Sequence, residues 1–380
     1  MSNNNSDLLE SILQGLEENI SLLKNLLYFI EKIVASKTNT ITSQNGQSSE
    51  KSLTNSNEKL LNCITQPTVS GLHEIAGLKD IKRILFTLTI LPRQQPQLFN
   101  NCSISNTILL YGPPGTGKTK LAHAVAAESK AVLYSVSLSD VLSSYVGETE
   151  KNIHEIFAHL KLTDKYSLLF IDEIDGVCRK RNSSENEYTR RIKTELMTHL
   201  SNINNCPNIV IIAATNRPWD LDSAILRRFR KQLYVPLPNS EDRLELLQLF
   251  TKNIPILKSI DEVIKLVELS DGLSGSDISN LIQDALNMPL MELQDTKIWR
   301  KCIDATYEPY QGTNLLIPEN DLFDTENIFL CELKDMPPMS VRAREVTMSD
   351  FYEAVSNIPT TVSSEEIKKY NEFQNTFTNL

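Results

Sequence analysis

No uninterrupted apolar run in this chain reaches the ~18 residues needed to cross a membrane. The N-terminus is polar and acidic, so it lacks the basic-then-apolar pattern of a secretory leader. Basic residues are outnumbered, 38 Lys and Arg against 48 Asp and Glu, for a net charge of −10. A chain of that sign is a poor general ligand for nucleic acid. The six cysteines, at positions 63, 102, 178, 206, 302 and 331, form no C-x-x-C pair and no Cys/His ligand spacing. This pattern predicts reduced thiols in the cytosol and no structural zinc. The nearest histidines, His154 and His159, are five apart and off a shared helix face, so they read as ordinary helix residues.

What is present is enough for proper cores: 380 residues, 41% of them apolar, fit two or three domains. Leu9, Leu13, Leu16, Ile20, Leu23, Leu27, Ile30 and Val34 recur at heptad spacing, predicting one helix over Asp7–Val34. Its stripe suits a coiled coil or a small bundle, and it has too few basic residues for a membrane-surface helix. Ser, Thr, Asn, Gln and Lys then dominate, a composition that buries too little to fold and predicts a flexible tether over 36–70. From Gly71, strands and helices alternate: Thr107–Tyr111, Lys120–Glu128, Val132–Ser137, Ile153–Leu160, Leu168–Ile171, Arg190–Ser201 and Ile209–Ala213. That is an α/β pattern, a parallel sheet with helices on both faces, over 71–237. Helices follow over 238–302, including a short piece near Pro289–Trp299. An irregular insertion with one β-like run, Ile328–Leu333, spans 303–345. Two capping-box helices close the chain over 346–380, at Thr347/Asp350 and Ser363/Glu366. The last one carries Ile367, Tyr370, Phe373 and Phe377 as a stripe that should dock.

The most informative run is Leu109-Leu110-Tyr111-Gly112-Pro113-Pro114-Gly115-Thr116-Gly117-Lys118-Thr119. An apolar strand enters G-x-x-x-x-G-K-T, which reads as a phosphate-binding loop for ATP. In that reading the backbone around the glycines cradles phosphate, Lys118 reaches the β- and γ-phosphates, and Thr119 ligates Mg²⁺. A second strand ends in Asp172-Glu173, where Asp172 would hold the metal and Glu173 would polarise the attacking water. A third, Ile209 to Thr215, ends in Asn216, placed to orient that water. Arg227 and Arg228 close a short helix. They read either as a solvated basic helix end or as fingers completing a neighbouring copy's site. Between the first two motifs lies Ser144-Tyr145-Val146-Gly147-Glu148, where Tyr145 and Val146 fit a substrate-gripping pore loop, although Tyr145 alone would read as core. The charged stretch Lys180, Arg181, Glu185 and Glu187 is a solvated loop or a second pore loop.

Together these motifs resemble the AAA ATPases, and within them the meiotic clade of katanin, spastin, fidgetin and the vacuolar protein sorting ATPase that disassembles ESCRT-III. Likeness to the last is carried by Arg190-Arg191-Ile192-Lys193-Thr194-Glu195, by Asp277-Ile278-Ser279 and by Asp284-Ala285-Leu286-Asn287-Met288-Pro289. The resemblance covers about Gly71 to Leu380. It implies an AAA large domain and a small helical domain carrying a short β insertion. It further implies ATP and Mg²⁺ as cofactors and a homo-oligomer, most often a hexamer. The insertion sits where that family binds an activating cofactor protein, and the closing helix where it packs back on the large domain. A protein substrate of the ESCRT-III type, and action at endosomal membranes reached through partners, follow from the same likeness. Three features depart from the family. Tyr145 replaces a Trp and Ser144 a Lys, Leu72 replaces a Trp, and one strong helix stands where the family has a three-helix microtubule-interacting and trafficking domain.

Microtubule severing, from the same clade, would want a basic tether and a positive chain, and neither is present. A nucleotide-gated adaptor without hydrolysis would be expected to lack Glu173 or an arginine of the pair, and all three stand in place. A clamp-loader-like motor on nucleic acid conflicts with the acidic balance.

Overall fold

The structure, a computed structural model, describes residues 63–100, 105–137, 148–180, 187–203, 206–252, 260–302, 306–310 and 328–378. The helix expected over Asp7–Val34 and most of the expected tether lie outside these residues. The tether reading is corrected at its end, where residues 63–70 are docked. Thr65 N–H donates to the Leu133 carbonyl at 2.9 Å, Ile64 bridges Tyr134, and Val69 packs on the core. A strand edge with free backbone groups supplies what the polar composition alone does not.

The centre is a five-stranded sheet of β1 (Thr107–Tyr111), β2 (Val132–Ser137), β3 (Ser167–Asp172), β4 (Ile209–Thr215) and β5 (Lys231–Tyr234). Its spatial order is β2-β3-β4-β1-β5 and every pairing is parallel. Parallel neighbours need crossovers, and helices provide them. A leading helix, α1 (Lys79–Leu85), is followed by the crossovers α2 (Lys118–Glu128), α3 (Glu148–Leu162), α4 (Glu187–Asn202) and α5 (Ser223–Leu226). Strands β1 and β4 are buried along their whole length, as a doubly covered sheet requires. Alternate residues serve the two faces. Leu109 and Tyr111 join the core beneath α3 and α4, while Ile108 and Leu110 join the core beneath α2. The edge strand β5 was not legible in the sequence, because Lys-Gln-Leu-Tyr is short and half polar. The register pairs Tyr111 with Thr215 and Ser137 with Asp172, so the carboxyl ends of the strands finish level with one another.

Beyond the sheet, α6 (Ser240–Phe250), α7 (Ile260–Leu269) and α8 (Gly275–Asp295) form a third core with Leu247, Leu266, Leu281 and Ile282. The reading of a separate helical piece near Pro289–Trp299 is corrected. α8 runs unbroken through Pro289, which is buried, and Trp299 is a strand residue. A proline inside a helix costs about 3 kcal/mol. Here the Ser274/Asp277 capping box and the buried Ile278, Leu281, Ile282 and Ala285 oppose it. Next, β6 (Ile298–Lys301), β7 (Tyr307–Pro309) and β8 (Ile328–Leu330) form an antiparallel sheet with β6 in the middle. Trp299 is fully buried on it, and its indole N–H donates to the Cys331 carbonyl at 2.9 Å. The sheet therefore starts upstream of the boundary expected at 303.

Helix α9 (Met348–Asn357) returns to this third core through Phe351 and Ala354. Arg344 ties the region together, forking onto Asp350 at 2.7 and 2.8 Å while its Nε donates to Glu292 at 2.7 Å. Helix α10 (Ser364–Thr378) crosses back to the large sheet. Tyr370 and Phe373 are buried there, Phe373 edge-on to Tyr111 and Tyr370 against Trp219 and Tyr234.

Candidate active site

The loop after β1 is shaped by its glycines. Gly112 has φ +153°, and a side-chain carbon there would fall 2.1 Å from the Val235 carbonyl oxygen. Gly115 has φ +74° and sits so close to Ser274 that a methyl group would meet its hydroxyl at 2.4 Å. The backbone can thus pass between β5 and the start of α8 before turning into α2. Lys118, the first residue of α2, is buried. Its Nζ donates to the carbonyls of Gly112 at 3.0 Å and Pro113 at 2.7 Å. Burial pulls its pKa down to about 8, with Asp172 and Asp175 acting in the opposite direction.

The end of β3 lies beside the start of α2. Thr119 Oγ1 donates to Asp172 Oδ2 at 2.8 Å, and the Glu173 N–H donates to Asp172 Oδ1 at 2.9 Å. Glu173 has φ +48°, a left-handed conformation that a non-glycine residue holds only at a cost, roughly 1 kcal/mol or more. It opens a 3₁₀ turn, Ile174–Gly176, and is exposed to the cleft. At the end of β4, Thr215 Oγ1 donates to Asp175 Oδ1 at 2.7 Å, fixing the strand end next to Asn216. The Tyr370 hydroxyl donates to the Asn216 carbonyl from α10.

A cleft of about 460 Å³ brings Lys118, Thr119, Asp172, Glu173 and Asn216 together with Pro114 through Gly117. Its far wall is the N-terminus of α8, with Gly275, Ser276, Ser279 and Asn280, together with Leu246 and Phe250 of α6. The Ser276 N–H donates to the Gly115 carbonyl at 3.1 Å, so the two walls touch at the phosphate loop. Such a pocket, at the carboxyl ends of parallel strands and in front of a helix N-terminus, suits a phosphorylated ligand.

Two family models match the chain. One is the ATPase family associated with various cellular activities (AAA), over residues 108–237; the other is the Vps4 C terminal oligomerisation domain, over residues 326–377. Vacuolar protein sorting-associated protein 4 of Dictyostelium discoideum is 35% identical over 318 residues, 82% of this chain and 70% of the relative. The chain belongs to the Vps4 family of AAA ATPases. The human vacuolar protein sorting-associated protein 4A is likewise 35% identical, over 80% of this chain and 70% of its own. Pig spastin is 35% identical over 80% of this chain but only 44% of its own length. Among solved structures, the FIGL-1 AAA domain matches with a TM-score of 0.66 and 29% identity, over 85% of this chain and 95% of that one. As a Vps4-family AAA ATPase the chain is a nucleotide-binding, ATP-hydrolysing enzyme with a C-terminal oligomerisation domain. No helix among the described residues is long and apolar enough to cross a membrane.

The remaining sequence-derived candidates are placed differently in this Vps4-family chain. Arg227 caps the short helix α5 and is exposed, and neither it nor Arg228 lines the cleft of its own copy. Arg228 Nε is buried with no partner among the described residues. Tyr145 and Val146 lie outside the described residues, as do Arg181 and Glu185 of the charged stretch. Sequence reading missed the contacts of Tyr370 and Asp175 with the end of β4, and the individual residues of the α8 wall. For the α8 wall a signal existed, the Ser274-x-x-Asp277 capping box.

Proposed function

We propose that this Vps4-family ATPase works as a ring, most simply a hexamer, that binds Mg·ATP in the cleft and uses hydrolysis to pull on a protein substrate of the ESCRT-III type. The observation that carries the reading is the meeting of Lys118, Thr119, Asp172, Glu173 and Asn216 on one cleft closed by the α8 N-terminus. Backbone N–H groups of residues 115–119 and the positive end of α2 hold the phosphates, and Lys118 neutralises the β- and γ-oxygens. The Thr119 hydroxyl and the Asp172 carboxylate, 2.8 Å apart, are hard oxygen donors of the kind Mg²⁺ takes. When bound there, the metal neutralises charge on the leaving phosphates. Glu173 draws a proton from the attacking water, and Asn216 orients that water. Arg227 and Arg228 do not line their own cleft, which suits a role at the site of the next copy in the ring. Tyr145 and Val146 line the central channel and grip the substrate. The small antiparallel sheet is the docking place of an activating protein, and partners bring the ring to endosomal membranes.

The test is a substrate trap. Glu173→Gln should bind ATP, hydrolyse it at least about 10²-fold more slowly, and stay locked on its substrate. Material captured with ATP from the native cells is identified by mass spectrometry. ESCRT-III-type subunits support the reading. Tubulin would favour severing, which the likeness to spastin keeps in view. Absence of any ATP-dependent partner would remove the remodelling reading.

A further inference from the structure

We propose that His154, Glu195 and His199 form a binding site for one divalent transition-metal ion of the zinc class, bridging α3 and α4. His154 is on α3; Glu195 and His199 are one turn apart on α4 and so share a face. One ligand atom from each of the three lies within 4.8 Å of the others. His154 Nδ1 is 3.3 Å and His199 Nε2 is 2.9 Å from the same carboxylate oxygen, Glu195 Oε1. Ligands 2.0–2.1 Å from a tetrahedral zinc ion stand about 3.3 Å from one another, so small side-chain movements admit the ion. Two imidazoles and a carboxylate are a donor set that zinc and its neighbours favour.

The rest of the surroundings sort the three ligands by role. His199 is buried and lies flat on the Phe157 ring, centroids 4.5 Å apart and planes 3° apart, which fixes its Nε2 toward Glu195. His154 has a side chain 65% exposed and is free to swing onto the ion from solvent. His199 Nδ1 is buried without a partner among the described residues. Coordination through Nε2 places the ring proton on that nitrogen, so the site favours exchangeable binding over the permanent kind of a structural zinc. The ion would pin together two helices that follow, in the chain, the Tyr145 segment and the 181–186 segment. This inference does not depend on the substrate proposed above.

The experiment uses the tag-free full chain, stripped of metal and titrated with Zn²⁺ alone against a chromophoric chelator, with melting temperature followed in parallel. One equivalent should bind and raise the melting temperature. His154→Ala changes an exposed side chain and should melt like the unaltered protein without metal. With metal it should lose the melting shift and bind at least about tenfold more weakly. Glu195→Gln should weaken binding in the same way. Equal zinc affinity in all three proteins would place the metal elsewhere in the chain and overturn the site, as would no binding up to millimolar Zn²⁺.

Discussion

The two walls of the nucleotide cleft are built in different ways. One is the row of strand ends of a fully buried parallel sheet, where Lys118, Asp172, Glu173 and Asn216 are held by β1, β3 and β4. The other is the N-terminus of α8 with the apolar side chains Leu246 and Phe250, belonging to a separate hydrophobic core. The side chains assigned to metal, water and phosphate chemistry, Lys118, Thr119, Asp172, Glu173 and Asn216, are on the first wall. The second offers backbone N–H groups, hydroxyls and apolar contact. A sheet buried on both faces cannot shift one strand without unpacking two cores, so it holds reacting groups to the tolerance that catalysis needs. A wall on another core meets the first through contacts such as the Ser276–Gly115 hydrogen bond, and breaking these leaves the packing of the sheet intact.

That division sharpens when a group belongs to neither wall. Arg227 is exposed and outside its own cleft. Arg227→Ala should therefore leave ATP binding to the isolated chain unchanged and lower turnover of the assembled protein about 10³-fold. Fluorescent-nucleotide titration and a phosphate-release assay, run over a range of protein concentrations, check both halves. Full turnover in the variant would confine catalysis to the strand-end wall and remove the neighbour from it.

A second way to press the comparison is pH. Burial lowers the Lys118 pKa to about 8 in the free protein. Phosphate binding favours the charged ammonium, so affinity for ATP is retained below that value and lost as pH rises through it. Between pH 7 and pH 9 kcat/KM should fall about tenfold while kcat stays level, because kcat/KM follows the free enzyme and kcat the complex. A flat profile would mean that the α8 wall, not Lys118, sets the affinity.

The sequence showed the strand-end wall far better than the other. Each of its residues follows an apolar run that has to be a buried strand, and each motif is contiguous, as in Gly112 to Thr119. The second wall is brought in from about 150 residues downstream by packing of α6 and α8, and no local pattern announces which loop it will meet. Pro289 misled for a related reason. Proline normally stops a helix, but here the tertiary core around Leu281 and Ala285 outweighs the local preference. Docking of residues 63–70 was hidden because it uses backbone groups, which composition does not report. β5 was hidden because an edge strand needs only one apolar residue facing in.

The smallest effect is expected where α10 joins the C-terminal region to the chemical wall. The Tyr370 hydroxyl donates to the Asn216 carbonyl, and its ring packs on Trp219 and Tyr234. Tyr370→Phe keeps the ring packing and removes only the hydrogen bond. Asn216 touches the attacking water in the proposed mechanism, so Tyr370 acts on it as a positioning residue. A neutral hydrogen bond is worth about 0.5–1.5 kcal/mol, which corresponds to a two- to tenfold loss in kcat if it is spent on the orientation of Asn216. KM should not move, because no phosphate contact changes, and the melting temperature should fall by no more than a few degrees. A purely structural role predicts the opposite split, with melting lowered and kcat per folded molecule intact. Loss of kcat without loss of stability would mean that the oligomerisation end of the chain reaches into the strand-end wall through one hydroxyl.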